Sequence, residues 1–333
     1  MLNNKTILIT GGTGSFGHKF TEIVLKRYKP AKLIIFSRDE YKQHEMEKIF
    51  SDKQYPSMRY FIGDIRDKNR MHRAFEGVDY IIHAAALKQV PALEYNPTEA
   101  VRTNVDGANN IVDVAIDAGV KKVIALSTDK AVSPANLYGA TKLVAEKLFV
   151  AANAYGGARV KFSVVRYGNV VGSRGSVIPF FLELKNRGIK EFPITDERMT
   201  RFWITLDQGV DLVLKALDES VGGEIFIPKI PSMRVVDLAK AIEPECRLKP
   251  IGIRPGEKIH ETLISEDEAR IAFDLKEYYV VLPQFLYLDE AFSKYKRGKP
   301  LPGGFEYRSD LNRERLSLDE LADMVKNLKN EAH

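Results

Sequence analysis

The chain of 333 residues contains one cysteine, Cys246, and one tryptophan, Trp203. A single thiol excludes an internal disulfide, and with it the stapled folds of small secreted domains. Six histidines, among them His18, His44, His72 and His83, show no ligand spacing, so no metal is expected. No apolar run is long enough to cross a bilayer, and the N-terminus lacks the apolar core of a secretion signal. The expectation is a cytoplasmic protein with no membrane partner. Internal repeats, low-complexity runs and long linkers are also missing. Nor is there a cationic block: 50 Lys plus Arg are interspersed with 45 Asp plus Glu, which argues against a nucleic-acid partner. A small anionic ligand accounts for the net charge of +5.

What is present is a globular composition, 44% hydrophobic, in a chain too long for one compact core. Apolar runs alternate with helical periodicity. Thr6 to Ile9, Lys32 to Phe36, Tyr60 to Asp64, Asp79 to His83 and Val123 to Leu126 read as buried strands. This alternation predicts an α/β fold with a doubly wound parallel sheet and a smaller α/β substrate-binding lobe. Residues 1–168 are expected to form the cofactor lobe, with 205–228 returning to it. Residues 169–204 and 229–333 are expected to form the substrate lobe. Thr205 with Gln208, and Ser317 with Glu320, each predict a capping box opening a helix.

The first strand runs into Thr10-Gly11-Gly12-Thr13-Gly14-Ser15-Phe16-Gly17, and a helical pattern follows. Glycines at this spacing permit a tight turn and let backbone N–H groups approach a pyrophosphate at a helix N-terminus. The second strand ends in Ser37-Arg38-Asp39-Glu40. Arg38, with Lys42 one turn on, suits a ribose 2′-phosphate and favours NADP; the alternative is that Asp39 or Glu40 meets a free ribose hydroxyl. Asp64, with Ile65 after it, is a candidate for the adenine. Ala84, Ala85 and Ala86 leave room for a flat cofactor, and His83 reads as strand packing. Lys88 either faces substrate or is solvated.

The densest chemistry lies in Ser127-Thr128-Asp129-Lys130 and Tyr138-Gly139-Ala140-Thr141-Lys142. Tyr138 and Lys142 share one helix face, so the ammonium is expected to lower the phenol's pKa and make Tyr138 the base for a sugar hydroxyl. Thr128 would hydrogen-bond the 4-oxygen. A 4-ketone then acidifies C5–H, and Lys130 as a neutral amine could remove that proton while Asp129 protonates the departing C6 hydroxyl. This role requires the Lys130 pKa to fall, with Lys142 helping to lower it. The alternative is that Lys130 binds substrate and Asp129 performs both transfers.

In order and spacing these motifs resemble the extended short-chain dehydrogenase/reductases, and within them the nucleotide-sugar 4,6-dehydratases. Arg166 to Ser176, Met199 to Trp203 and Arg254-Pro255-Gly256-Glu257-Lys258 narrow the resemblance to the C5-inverting branch that acts on UDP-N-acetylglucosamine. Asp129-Lys130 stands where configuration-retaining relatives carry Asp-Glu. The resemblance implies a homo-oligomer, a dimer or larger and up to a hexamer, and a place at the start of pseudaminic acid synthesis for flagellin glycosylation. It also implies that Asn169, Ser176, Val177 and Thr195 line the sugar cleft. Arg201 would meet the pyrophosphate, and Arg254 with Glu257 the uridine, the plainer alternative for each arginine being a surface ion pair.

Overall fold

The computed structural model describes residues 1–156, 159–172, 177–284 and 290–331. Six strands lie parallel: β1 (Thr6–Thr10), β2 (Lys32–Ser37), β3 (Met58–Ile62), β4 (Tyr80–His83), β5 (Lys122–Thr128) and β6 (Lys161–Tyr167). Their spatial order is 3-2-1-4-5-6. Helices cover both faces, which is why the strands are apolar on both sides rather than alternating. The order reverses between β1 and β4, and such a switch point opens a crevice at the strands' carboxyl ends.

Beyond β6 the sheet continues with Ile225–Pro228, parallel, and then with Tyr278–Val281, Ala272–Asp274 and Lys299–Pro300, all antiparallel. These last three strands come from the stretch 229–333 that was expected to lie wholly in the substrate lobe. The correction has a physical reason: Val280, Val281 and Ala272 are buried and complete the apolar edge left open beside Ile225–Pro228. The helix Leu206–Glu219, opened by the expected Thr205 and Gln208 capping box, packs beside α1 (Ser15–Arg27). Ser317 and Glu320 likewise exchange hydrogen bonds at the start of Leu318–Glu331. That helix sends Leu321 and Val325 into a second, smaller core with Phe181, Phe192, Met233 and Trp203. Trp203 is thus a packing residue.

Arg166 lies in β6 and is 1% exposed. Its guanidinium donates to both Glu146 oxygens at 3.0 and 2.6 Å, to both Glu268 oxygens at 2.9 and 2.8 Å, and to the Leu263 carbonyl at 2.9 Å. Burial alone would raise the Glu268 carboxyl, but Arg166 outweighs it and holds the group below its usual range. One cation therefore ties the helix Leu137–Tyr155 to the segment following residue 260.

Replacing Arg166 by Met should cost about 3–5 kcal/mol, because two carboxylates lose their buried partner. Thermal unfolding measures this. Because the native Glu268 pKa is depressed, its contribution is present above the unfolded carboxyl pKa and is lost as pH falls through the native value. The deficit of the variant should therefore narrow in acid.

Candidate active site

A cleft of about 670 Å³ runs along the carboxyl ends of the strands, from the β2–β3 side to the end of β5. At its centre the chain turns sharply out of β1. Gly11 has φ +63°, and a Cβ there would lie 2.8 Å from the Ala85 backbone, so the glycine turn rests directly on the alanine segment after β4. Gly17 is needed for a different approach: its Cβ would fall 2.0 Å from the Gly12 carbonyl, so only glycine lets α1 close over the turn. The N-cap of α1 is Gly14, which offers no side chain to the first-turn N–H groups. Those donors and the helix dipole suit a diphosphate.

Gly11, Thr13, Gly14, Ser15 and Phe16 line the cleft, whereas Thr10, Gly12 and Gly17 stand behind it. Thr10 is fully buried; its hydroxyl meets His83 Nδ1 at 2.8 Å and accepts from the Ala85 N–H at 3.3 Å. Burial, with a smaller push from Lys142, drives the His83 pKa down to about 3, so the ring is neutral and structural. Ala84, Ala85, Ala86 and Lys88 line the next stretch of wall. Burial and then the charge of Lys130 push the Lys88 ammonium down.

At the outer end Ser37, Arg38, Lys42, Asp64 and Ile65 all line the cleft. Asp39 is committed locally: Oδ1 accepts from the Lys42 N–H at 3.0 Å, capping the helix Glu40–Ile49, and Oδ2 pairs with Lys42 Nζ at 2.9 Å. The Arg38 guanidinium stays half-exposed, 3.8 Å from Asp64. Asp64 pairs more closely with Arg66, at 2.8 Å, and this pairing overcomes burial to hold its carboxyl low.

At the inner end β5 delivers Thr128, and Asp129–Ala131 forms a single tight turn. The following helix, Leu137–Tyr155, is capped by the Asn136 side chain accepting from the Gly139 N–H at 2.8 Å. A Cβ on Gly139 would lie 2.1 Å from the Lys130 carbonyl, so glycine lets the helix press Tyr138 against the turn. Thr128, Lys130, Tyr138, Lys142 and Asn169 all face the cleft, while Asp129 is fully buried beneath it.

Two expectations about proton balance are corrected. Lys142 donates to the Leu126 carbonyl at 2.7 Å, and burial lowers its pKa to about 8 against an opposing effect of Glu146. It is not what acts on the phenol: burial raises the Tyr138 pKa, and the cation that opposes burial is Lys130. Lys130, expected to be depressed, is raised. Burial alone would lower it, but Asp129 and Glu261 outweigh that effect. Its Nζ lies 2.9 Å from Asp129 Oδ1, 3.1 Å from Asn169 Oδ1 and 3.3 Å from Glu261 Oε1. The resting group is an ammonium ion. Asp129 is raised by burial and by Glu261 despite Lys130; its Oδ1 accepts from the Thr128 hydroxyl at 2.9 Å, and its Oδ2 is buried without a partner among the described residues.

Several residues expected on the substrate side do not reach this wall. Arg201 is buried and donates to the carbonyls of Thr200, Lys258 and Ile259, which leaves its Nε 3.8 Å from Glu261. The backbone's need for donors in the segment 258–261 takes up the guanidinium. Arg254 is exposed in a turn outside the cleft, with Glu257 beside it, and the turn is held by Asn136 donating to the Gly256 carbonyl at 2.7 Å. Val177 opens the helix Val177–Asn186 and packs on the second core; Thr195 follows the strand Glu191–Ile194. Ser176 lies outside the described residues. The sequence reading missed Glu261, because nothing local marks a glutamate that meets Lys130 only through the fold. It also missed Asn104, whose side chain holds the backbone of Leu87 at 2.8 and 2.9 Å next to Lys88. Among the described residues no cluster suits a metal, and no helix is long and apolar enough to cross a membrane.

Comparison with known proteins fits this geometry. Residues 7–283 match the family described as polysaccharide biosynthesis protein. The chain is 54% identical over 331 residues to the UDP-N-acetylglucosamine 4,6-dehydratase (inverting) of Campylobacter jejuni, covering 98% of both chains. It is 42% identical over 338 residues to a UDP-glucose 4-epimerase of Rickettsia massiliae, covering 98% of this chain and 96% of that one. The crystal structure of Pen from Bacillus thuringiensis superposes with a TM-score of 0.89 at 39% identity, covering 99% of each chain. With its glycine turn, alanine strand end and Tyr138 to Lys142 helix arranged around one cleft, the chain belongs to the polysaccharide biosynthesis protein family of extended short-chain dehydrogenase/reductases.

Proposed function

We propose that this chain is an NADP-dependent UDP-N-acetylglucosamine 4,6-dehydratase that inverts C5, a hydro-lyase forming UDP-2-acetamido-2,6-dideoxy-β-L-arabino-hexos-4-ulose. The observation that carries the reading is the Asp129 and Lys130 pair at the inner end of the cleft, 2.9 Å apart and beside Tyr138. A 4-epimerase needs only the tyrosine side of this arrangement. An elimination needs an acid for the C6 hydroxyl and a base for C5–H, and this pair can supply both. The Campylobacter jejuni relative's name agrees with this reading, and the Rickettsia massiliae relative's name keeps 4-epimerisation as the second one.

A bound nicotinamide supplies the hydride acceptor for C4 and the hydride returned to C6. Tyr138 takes the proton of the 4-hydroxyl, its phenolate favoured by the nearby Lys130 ammonium and the Thr128 hydroxyl. Asp129, held above the usual carboxylate range by burial and by Glu261, keeps a proton for the departing C6 hydroxyl. Lys130 accepts the C5 proton, and return of a proton from the opposite face inverts that centre. Asn169, 3.1 Å from Lys130, orients the amine. At the other end Asp39 is occupied by its helix and by Lys42, which leaves Arg38 to meet a 2′-phosphate and supports NADP over NAD. The same reading places the protein in the cytoplasm as a homo-oligomer, at the entry to pseudaminic acid synthesis for flagellin glycosylation.

Three outcomes test this. Incubation with UDP-N-acetylglucosamine in deuterated water should give a new C6 methyl signal by NMR, deuterium at C5 and an L-arabino ring. A methyl signal with retained configuration would remove the inverting assignment, and epimerised sugar without a methyl signal would turn the reading to the 4-epimerase. Tyr138→Phe should slow C4 oxidation by at least about 100-fold, whereas Lys130→Ala should still oxidise C4 but lose C5 exchange; single-turnover measurements separate the two. Arg38→Ser should raise KM for NADP by about tenfold or more, as expected when a charged hydrogen bond is lost, and leave KM for NAD nearly unchanged.

A further inference from the structure

Lys130 presents a problem that Asp129 does not solve. As the C5 base it must be a neutral amine, yet at rest it is an ammonium ion between Asp129 and Glu261. Asp129 already holds the proton that it keeps for the C6 hydroxyl and cannot take a second one from the amine. A second acceptor stands on the opposite side. Glu261 Oε1 lies 3.3 Å from Lys130 Nζ, the side chain is 3% exposed, and its Oε2 is buried with no partner among the described residues. Its backbone is fixed, the N–H donating to the Ser309 hydroxyl at 3.0 Å. The charged and titratable groups around the pair come from every neighbouring element: Asp129 on the turn after β5, Tyr138 on the following helix, Lys88 after β4, Arg201 on the strand Thr200–Ile204, and Lys258 on the loop before Glu261.

We propose that Glu261 is the proton-sharing partner of Lys130, a positioning residue that receives one ammonium proton once C4 has been oxidised and so leaves a neutral amine facing C5. The step balances within the pair: one N–H bond of Lys130 breaks, one O–H bond of Glu261 forms, and ammonium plus carboxylate become amine plus carboxylic acid with no change in net charge. No proton has to escape to solvent. Excluding water favours this direction, since an ion pair loses more solvation than the neutral pair formed from it. The buried Oε2 gives the transferred proton a second oxygen on which to reside. The Lys130 ammonium, and after it Arg201 and Lys258, keep Glu261 ionised until then, which fits its carboxyl lying below the usual range despite burial. Asp129 is thereby left free to serve the C6 hydroxyl alone.

This inference rests on the dehydratase reading, and the experiment separates the two. Glu261→Gln keeps the shape but cannot accept the proton. C4 oxidation, followed as reduced cofactor in a single turnover, should stay within about twofold of wild type, while C5 hydrogen exchange in deuterated water should fall by about 100-fold, the scale of a lost acid–base contribution. Exchange in the variant should recover as pH rises, because bulk hydroxide then removes the proton that Glu261 would have taken; wild type should show no such dependence. Glu261→Asp should recover part of the rate. In the ligand-free protein, NMR of isotopically labelled lysine should show the Lys130 ammonium titrating at lower pH in Glu261→Gln than in wild type. Unchanged exchange with an unchanged pH profile would overturn the role of Glu261, as would equal loss of C4 oxidation and exchange, which marks a merely structural residue. A wild-type protein that neither oxidises nor exchanges the nucleotide sugar would overturn the dehydratase reading, and this inference with it.

Discussion

A carboxylate taken out of water needs a cation within reach, and much of the architecture around the inner end of the cleft meets that need twice. Glu146 and Glu268 converge on Arg166. Asp129 and Glu261 converge on Lys130, with Arg201 behind Glu261. The first group is saturated, with both oxygens of each carboxylate bonded, and it acts as a rivet between the helix Leu137–Tyr155 and the segment after residue 260. The second is left incomplete, with Asp129 Oδ2 and Glu261 Oε2 unbonded among the described residues. Because the saturated cluster holds the elements carrying Tyr138 and Glu261 in register, the incomplete one can remain open toward a ligand without collapsing.

The parts of this arrangement that could be read from the amino-acid order were those decided over short distances. The strand preceding Gly11, the glycine spacing, the Thr205 and Gln208 box and the four-residue step from Tyr138 to Lys142 depend on backbone geometry within a turn or two. Each appears in the structure at or near its expected place. Charge states were another matter. The effect of Lys142 on Tyr138 was inferred from helical adjacency, but the helix turns Lys142 toward the Leu126 carbonyl and leaves Lys130 as the cation acting on the phenol. A pKa in a buried cluster depends on every charge within several ångströms, and here one of them, Glu261, is more than a hundred positions downstream of Lys130.

The substrate side shows the same limit. Arg201 was expected at the pyrophosphate and Arg254 at the uridine from the resemblance of their motifs, which does not say where each guanidinium points. The fold uses Arg201 to satisfy three backbone carbonyls and leaves Arg254 on an exposed turn. The three strands between residues 272 and 300 were missed as sheet members for a related reason. They are short, and what recruits them is the unpaired edge of Ile225–Pro228, a feature with no local signature.

The small core around Trp203 has a consequence in time as well as space. Its apolar set draws on Val171, Phe192 and Met233 but is closed by Leu321 and Val325, and a Cβ on Gly172 would sit 2.8 Å from Leu328. The backbone carrying Asn169 to Gly172 therefore leans on a helix that the ribosome produces well after the seven parallel strands. During synthesis the parallel sheet has everything it needs before the small core does, so the wall that carries Asn169 is completed later than the rest of the cleft.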